Sequence, residues 1–176
     1  LKDISMDEEY ADICGLTENE LLENFRSGIM ALAKKREEDF ETTVEVLRNY
    51  YDGYLFAANG SRLYNPFSVL SALDKKEIST FWYETGTPTF LAKWVRNNGI
   101  DPREINDVAA SKDELISVGF DEVDPVPLMF QTGYLTIARY DRESELYQLR
   151  LPNREVEIGF FKHLLPCYAP PITRIT

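Results

Sequence analysis

Apart from its carboxylates, this sequence of 176 residues has few side chains that could carry out acid–base, nucleophilic or metal chemistry. It contains 30 Asp and Glu residues but one histidine, His163, and two cysteines, Cys14 and Cys167. A single histidine in a helix-like apolar stretch disfavours both a histidine-based triad and a multi-histidine metal site. Neither cysteine belongs to a CxxC pair, so we expect two reduced thiols in a cytoplasmic protein rather than a disulfide framework or a zinc site.

Two clusters of carboxylates are the remaining candidates for catalysis. A glycosidase pair or a metal site needs carboxylates at defined separations in space, which sequence spacing does not provide. A solvated acidic face is the more common role of such clusters. We therefore expect no catalytic residue and no metal ligand in either, the first being Asp7, Glu8, Glu9 and Asp12 and the second Asp121, Glu122 and Asp124.

The basic side chains are distributed unevenly, which limits where a nucleic acid could bind. The formal net charge is -11, with -7 in residues 1–50, -6 in 101–128 and +1 in each of 51–100 and 129–176. Simple nucleic-acid binders are basic, so contact with phosphates is restricted to the middle or the C-terminal end. There the arginines that could meet phosphates are Arg139, Arg142, Arg150 and Arg154.

Aromatic side chains could add base stacking to such contacts. The candidates are Tyr83 and the tyrosines and phenylalanine of residues 50–56. Because aromatic residues are abundant and fall at helix-compatible spacing, packing in the core is the interpretation we favour.

The first half of the chain has the pattern of a helical hairpin. Thr17 and Glu20 form a capping box, and the apolar stripe behind it predicts a helix as far as about Lys35. A second helix follows, and the two should pack antiparallel. The apolar stripes are Leu21, Leu22, Phe25, Ile29 and Leu32 for the first helix, and Phe40, Val44, Leu47 and Tyr51 for the second.

Three later helices share one start signal, a capping residue followed by proline, whose missing amide is harmless in a first helical turn. They begin at Asn65-Pro66, Thr87-Pro88 and Asp101-Pro102. In the first of them we expect Phe67, Leu70 and Leu73 to face inward.

The last third predicts a β-hairpin over residues 134–151, between a short helix at 127–132 and a final helix capped by Asn153. Helix, hairpin and helix in this order is a winged-helix-like arrangement. The chain is therefore predicted to be mostly α with a small antiparallel β-hairpin. It has no apolar run long enough to span a membrane.

Several local strings, taken in order, resemble the predicted AAA-ATPase-like family of microbial proteins. They are DISMD (3–7) with CGLT (14–17), YDGYLF (51–56), LYNPFSVL (63–70), FWYETGTPTFL (81–91), QTGYLTI (131–137) and PNREV (152–156). The resemblance covers about residues 1–165 and matches the C-terminal part of the family's ATPase-like region. It implies a helical lid-like subdomain at 1–100, a winged-helix-like subdomain at 101–165 and a tail or linker at 166–176.

Full-length members of that family carry a P-loop ATPase core upstream and often a PD-(D/E)XK nuclease-like domain downstream. The resemblance thus implies ATP and Mg in the parent protein and no cofactor in this chain, which contains no GxxxxGK phosphate loop and no nuclease motif. The Gly86-Thr87-Pro88 turn is similar to a lid turn that approaches the nucleotide in some P-loop ATPases. Arg62 is a second candidate, as a sensor-type arginine; a capped helix start and a surface arginine are the simpler interpretations of the two.

Two functions remain open from the sequence. The first is a non-catalytic lid and winged-helix segment that couples nucleotide state to a neighbouring effector domain. The second is a nucleic-acid- or protein-binding winged-helix module that acts without ATP. A self-contained hydrolase built on the acidic clusters is disfavoured, since no histidine network or metal-spaced pair supports it.

Overall fold

The computed structural model describes residue 4 and residues 6–84, 105–106, 108–117 and 125–168, except for the side chains of 83–84 and 163–168. Its helices are α1 (Glu18–Asn24), α2 (Arg26–Arg36), α3 (Phe40–Tyr51), α4 (Pro66–Lys75), α5 (Phe81–Glu84), α6 (Lys112–Ile116), α7 (Pro125–Gln131) and α8 (Arg154–Tyr168). Within the described ranges, the strands β1 (Ala109–Ala110), β2 (Thr136–Asp141) and β3 (Leu146–Arg150) form one antiparallel sheet in the order β1-β3-β2. The prediction of a mostly helical chain with a small antiparallel β-structure is therefore confirmed.

The single helix predicted from Thr17 to about Lys35 is in fact two helices. The capping box is present, with the Thr17 Oγ1 accepting from Glu20 N and the Glu20 carboxylate accepting from Thr17 N. The helix then breaks at Phe25, whose φ of −120° and ψ of 17° leave the helical region. The Asn24 side chain donates to the Glu20 carbonyl at 2.8 Å, and such local side-chain bonds compete with helix propagation.

The helices α1 to α5 enclose a helical core, in which residues of α3 and α4 are central. The stripe predicted for α3 is confirmed, with Val44, Leu47 and Tyr51 buried. In α4 the prediction was partly wrong, because Phe67 is 52% exposed and Leu70 38% exposed. The buried face of α4 consists of Ser68, Val69, Ala72 and Leu73. The polar type of the buried Ser68 hid the true inward stripe from the sequence pattern.

The strands and the helices α6 to α8 enclose a sheet core, which also receives residues from the segment between α3 and α4. Tyr54, Leu55 and Leu63 of that segment are buried there, together with Ile137, Leu149, Val156 and Phe160. Tyr51 and Tyr54 are both buried, so the core interpretation is confirmed for these two, while Tyr50 and Phe56 are half-buried and the side chain of Tyr83 lies outside the described residues. The segment is fixed beside β2, because Leu55 N donates to Thr136 Oγ1 at 2.7 Å and the Thr136 hydroxyl donates back to Leu55 O at 3.1 Å.

The predicted hairpin is present as β2 and β3, and it contains a bulge. Ile137 pairs with Leu149, but the next pair is Arg139 with Gln148, so Ala138 is an extra residue in β2. The strand β1 was not predicted, since two alanines carry no recognisable strand pattern. The final helix is capped as expected, with Asn153 Oδ1 accepting from Val156 N at 3.1 Å.

One close backbone approach joins the end of α3 to the start of α8. Gly53 has a φ of 114°, and a Cβ at this position would lie 2.2 Å from the Pro152 carbonyl oxygen, so only glycine fits. The helices α5 and α8 are also tied together, because the fully buried Glu155 accepts from Trp82 N at 2.8 Å. The helical core and the sheet core therefore meet along α8.

Three other sequence predictions concern residues beyond the described ranges. The helix starts at Thr87-Pro88 and Asp101-Pro102, and the boundary at residue 100, lie there. The tail predicted from residue 166 begins inside α8, which continues to Tyr168.

Candidate nucleic-acid interface at the hairpin

Two depressions of about 700 Å³ each lie on either side of Ala138, the bulge residue of β2. The hairpin depression is formed by β2, β3, their turn and the 55–62 segment. The helix-start depression is formed by the ends of α3 and β3 and the start of α8. The hairpin depression is lined by Glu8, Leu55, Ala58, Asn59, Gly60, Arg62, Ala138, Arg139, Tyr140, Arg142 and Tyr147. The helix-start depression is lined by Asn49, Tyr50, Asn106, Ala138, Arg150, Leu151, Pro152, Asn153, Arg154 and Glu157.

Three arginines from separate parts of the chain meet at the hairpin depression. Arg139 lies in β2, Arg142 lies in the hairpin turn and Arg62 lies just before α4, and all three are exposed. Arg139 and Arg142 form no ion pair or side-chain hydrogen bond with any described residue. Arg62 has one hydrogen bond, a donation from Nη1 to Gly53 O at 3.3 Å. Most of the donors of these guanidinium groups are therefore available to an external acceptor.

The turn that carries Arg142 is held by its own aspartate. Asp141 Oδ1 accepts from Glu143 N at 3.0 Å, and Asp141 Oδ2 accepts from Ser144 Oγ at 2.9 Å. These bonds hold the pKa of Asp141 below its usual range, and the charge of Arg139 contributes in the same direction. The Asp141 carboxylate is thus committed to the turn, and Arg142 is presented on a defined loop.

Two tyrosines form the aromatic part of the hairpin depression. Tyr140 pairs across the sheet with Tyr147, their ring centroids lie 4.6 Å apart, and Tyr140 is 36% exposed. The bulge at Ala138 produces this pair, since an unbroken register would bring Arg139 opposite Tyr147. Burial and the neighbouring Tyr140 raise the pKa of Tyr147 above its ordinary value, so the Tyr147 ring is neutral at pH 7.

One carboxylate lies at the edge of the hairpin depression. Glu8 lines it, and Asn59 Nδ2 donates to Glu8 Oε1 at 2.6 Å. This bond fixes Glu8 beside Asn59 on the 55–62 side of the depression. Arg139 and Arg142 enter from the hairpin, so the strongest positive character belongs to that side.

Arg150 lies at the end of β3, in the helix-start depression. Its Nε is buried and has no hydrogen-bond partner within the described part of the chain. Burial lowers the pKa of its guanidinium, and the charge of Arg62 adds to this effect, while Asp52 opposes it. Asp52 is itself an imperfect partner, since its Oδ1 is buried without a hydrogen bond and burial raises its pKa. Two neighbouring guanidinium groups with one such carboxylate favour an added oxyanion, which guanidinium binds through paired donors.

Arg154 differs from the other predicted arginines. It forms an ion pair with Glu157 at 2.8 Å, one helical turn along α8. Its charge is therefore offset within the chain, and it is the weakest of the predicted phosphate contacts.

The structure brings together most of the site residues that the sequence singled out. Arg62, Arg139 and Arg142 meet in one depression, and Arg150 and Arg154 meet in the next. The candidate nucleotide contacts Gly86, Thr87 and Pro88 lie outside the described residues. Sequence reasoning missed Tyr140 and Tyr147, because their pairing depends on the register shift at Ala138, which residue types alone do not indicate. Among the described residues, no group of three or more His, Cys, Asp or Glu side chains could hold a metal ion.

Comparisons with known proteins identify one distant relative. A curated protein of Azotobacter chroococcum mcd 1, described as an uncharacterised protein in the vnfD 5′ region, is 34% identical over 172 residues. That match covers 97% of this chain but 31% of the relative, so the chain spans about a third of the length of the curated protein it matches. No protein-family model and no solved structure matches the chain. In the described part of the chain, no helix is long and apolar enough to cross a membrane.

Proposed function

We propose that this chain is a non-catalytic, nucleic-acid-binding part of a larger cytoplasmic protein, with the hairpin as its binding element. One observation carries the proposal: Arg62, Arg139 and Arg142 meet in a single depression, and no carboxylate is paired with any of them within the described residues. The order of α7, the hairpin and α8 along the chain is consistent with a winged-helix-like module.

The chain's overall charge of -11 does not oppose this proposal. Screening at physiological salt limits the reach of exposed charges to about 8 Å, so most acids of residues 1–50 act on their own surroundings, and Glu8 is the one of them that lines the depression. A phosphate in the hairpin depression would meet the guanidinium groups first. We expect weak, strongly salt-dependent binding, because phosphate contacts release condensed counterions.

The test is a fluorescence anisotropy titration of labelled DNA and RNA oligonucleotides at several salt concentrations. We expect binding at low salt that weakens as salt rises. A plot of the logarithm of the binding constant against the logarithm of the salt concentration should have a slope of about −0.7 to −0.9 per phosphate contact. The Arg139→Glu/Arg142→Glu variant should lose this binding. The matched control is Lys34→Glu/Lys76→Glu, which makes the same charge change at two exposed positions of the helical region. Equal losses in both variants would show a non-specific charge effect and would contradict the proposal.

A second candidate is supported by the junction along α8. The resemblance to the AAA-ATPase-like family implies a P-loop core upstream, a nuclease-like domain downstream, and ATP with Mg in the parent protein. The hydrogen bond from Trp82 N to Glu155 joins α5, which lies just before Gly86 in the sequence, to α8, the helix that follows the hairpin. Such a connection would let a lid movement reach the hairpin, as hinge motions do in other switching proteins. The relative's greater length agrees with a multi-part parent protein.

The coupling function has its own test in the intact parent protein. Gly86→Val should weaken nucleotide affinity without unfolding this segment, because a helix start and a glycine turn that meet a phosphate tolerate no added side chain. Unchanged nucleotide affinity would contradict this role. Micromolar binding of Mg-ATP by residues 1–176 alone would also contradict it.

A further inference from the structure

We infer that the hairpin depression binds single-stranded nucleic acid, with an unpaired base stacked on the Tyr140–Tyr147 pair and the flanking phosphates held by Arg139 and Arg142. This inference rests on the proposed nucleic-acid-binding function and adds the class of ligand and the residues that distinguish it.

The aromatic pair is the first argument. Tyr140 is 36% exposed and contacts Tyr147 at a centroid distance of 4.6 Å, with the rings tilted by 40°. The pair is held in register by β2 and β3, so it is a pre-formed surface rather than a mobile side chain. Among the other tyrosines, Tyr51, Tyr54 and Tyr64 are buried in the cores, while Tyr10 is 38% exposed.

The combination of groups is the second argument. Positive side chains that follow a backbone, together with exposed aromatic rings on which bases stack, are the usual elements of single-strand binding sites. In the hairpin depression both kinds are present, because Arg139, Tyr140 and Tyr147 all line it.

The shape is the third argument. A depression of about 700 Å³ is within the range of pockets that hold small organic ligands, so it is large enough for a single unstacked base. In a duplex the faces of the bases are covered by their neighbours, so only an unpaired base can use the tyrosine pair. A duplex would use the arginines and leave the rings unused.

The experiment compares three labelled probes of equal length with residues 1–176: a 12-nucleotide thymidine oligomer, an abasic oligomer with the same phosphates, and a 12-base-pair duplex. A uridine oligomer is a fourth probe, which separates RNA from DNA. We expect the thymidine oligomer to bind about tenfold more tightly than the abasic one, as expected for one stacked base.

The decisive variants are Tyr140→Leu, which removes the ring, and Tyr140→Phe, which keeps it. Tyr140→Leu should weaken binding of the thymidine oligomer about tenfold and leave the abasic oligomer unchanged, while Tyr140→Phe should bind like the unaltered chain. Phe67→Leu, at an exposed aromatic of α4, is the matched control and should change nothing. Thermal unfolding of each variant checks that the hairpin is intact, and Tyr147→Leu is the second variant if Tyr140→Leu unfolds.

The outcomes separate this inference from the function on which it rests. Equal binding of the thymidine and abasic oligomers, with no effect of Tyr140→Leu, would overturn the stacking inference while charge-reversal-sensitive binding still supported the proposed function. Absence of binding by all four probes at low salt would overturn both.

Discussion

The arginines of the helical region and those of the hairpin region have different surroundings. Arg36 and Arg48 each make two hydrogen bonds of 2.7 to 2.8 Å to one carboxylate, on Glu38 and Glu18 respectively. Arg26 stacks over the Phe40 ring at 4.5 Å. By contrast, the hairpin arginines Arg139 and Arg142 contact no such partner among the described residues.

This difference separates arginines that stabilise the fold from arginines whose donors are available to bind a partner. In the helical region the same carboxylate that pairs with Arg48 also accepts from the Tyr64 hydroxyl at 2.9 Å, so removing one member disturbs the others. In the hairpin region, removal of a guanidinium group breaks no bond that holds the fold. The predictions below test this separation, starting with the largest expected effect.

The largest expected effect is on binding, from charge reversal in the hairpin. Arg139→Glu/Arg142→Glu should weaken nucleic-acid binding about 100-fold or more, since two attractive contacts become repulsive. The free energy of unfolding, measured in urea, should stay within about 0.5 kcal/mol of that of the unaltered chain, as for surface substitutions in general. A large loss of stability in this variant would mean that these arginines serve the fold after all.

The next effect is on the junction between the two cores. Gly53→Ala should lower the free energy of unfolding by about 2 kcal/mol or more, because the residue has a positive φ and its Cβ would meet the Pro152 carbonyl oxygen. Urea unfolding followed by circular dichroism measures the loss. The matched control is Gly28→Ala in α2, where the added Cβ would make an ordinary contact of 3.4 Å with the Leu73 side chain. This variant should be neutral or stabilising.

A smaller effect is expected from the paired arginine Arg48. Arg48→Gln should cost about 1 kcal/mol of stability, because the ion pair with Glu18 is partly exposed and the remaining carboxylate keeps its bond to Tyr64. Nucleic-acid binding should be unchanged. Weakened binding at unchanged stability would remove the distinction between the two sets of arginines.

The smallest effect concerns the pH dependence of stability through Asp52. Burial raises the pKa of this carboxyl in the folded chain, so its contribution to stability is fully present below the unfolded pKa of about 3.9 and is lost as pH rises through the folded value. Asp52→Asn removes this loss. The stability of the variant relative to the unaltered chain should therefore increase between pH 4 and pH 7, as measured by urea unfolding at each pH, and a constant difference across that range would contradict the prediction.

Much of the fold followed from local sequence signals, because caps, proline starts and the hairpin turn are encoded within a few residues. The capping box at Thr17 and the start of α4 at Asn65 are examples. The break at Phe25 did not follow, since the apolar stripe continues through it and the Asn24 side-chain bond beside the break gives no strong sequence signal. The true inward face of α4 was also missed, because a buried serine gives no apolar signal.

The candidate site was predictable to a similar extent. Arg139 and Arg142 could be assigned to the hairpin from the sequence, since both lie near its turn. The approach of Arg62 to the same depression depends on the pairing of Leu55 with Thr136, which joins residues 81 positions apart. The Tyr140–Tyr147 pair depends on the bulge at Ala138, and a bulge changes the register in a way that residue types alone do not indicate.

The central claim is that the hairpin arginines are available to a phosphate partner and that the helical arginines are not. A direct measurement is NMR observation of arginine Nε–Hε resonances in residues 1–176 during titration with a short thymidine oligomer. The account predicts that the signals of Arg62, Arg139, Arg142 and Arg150 shift together while those of Arg36 and Arg48 stay in place. Shifts spread evenly over both sets, or confined to Arg36 and Arg48, would contradict it.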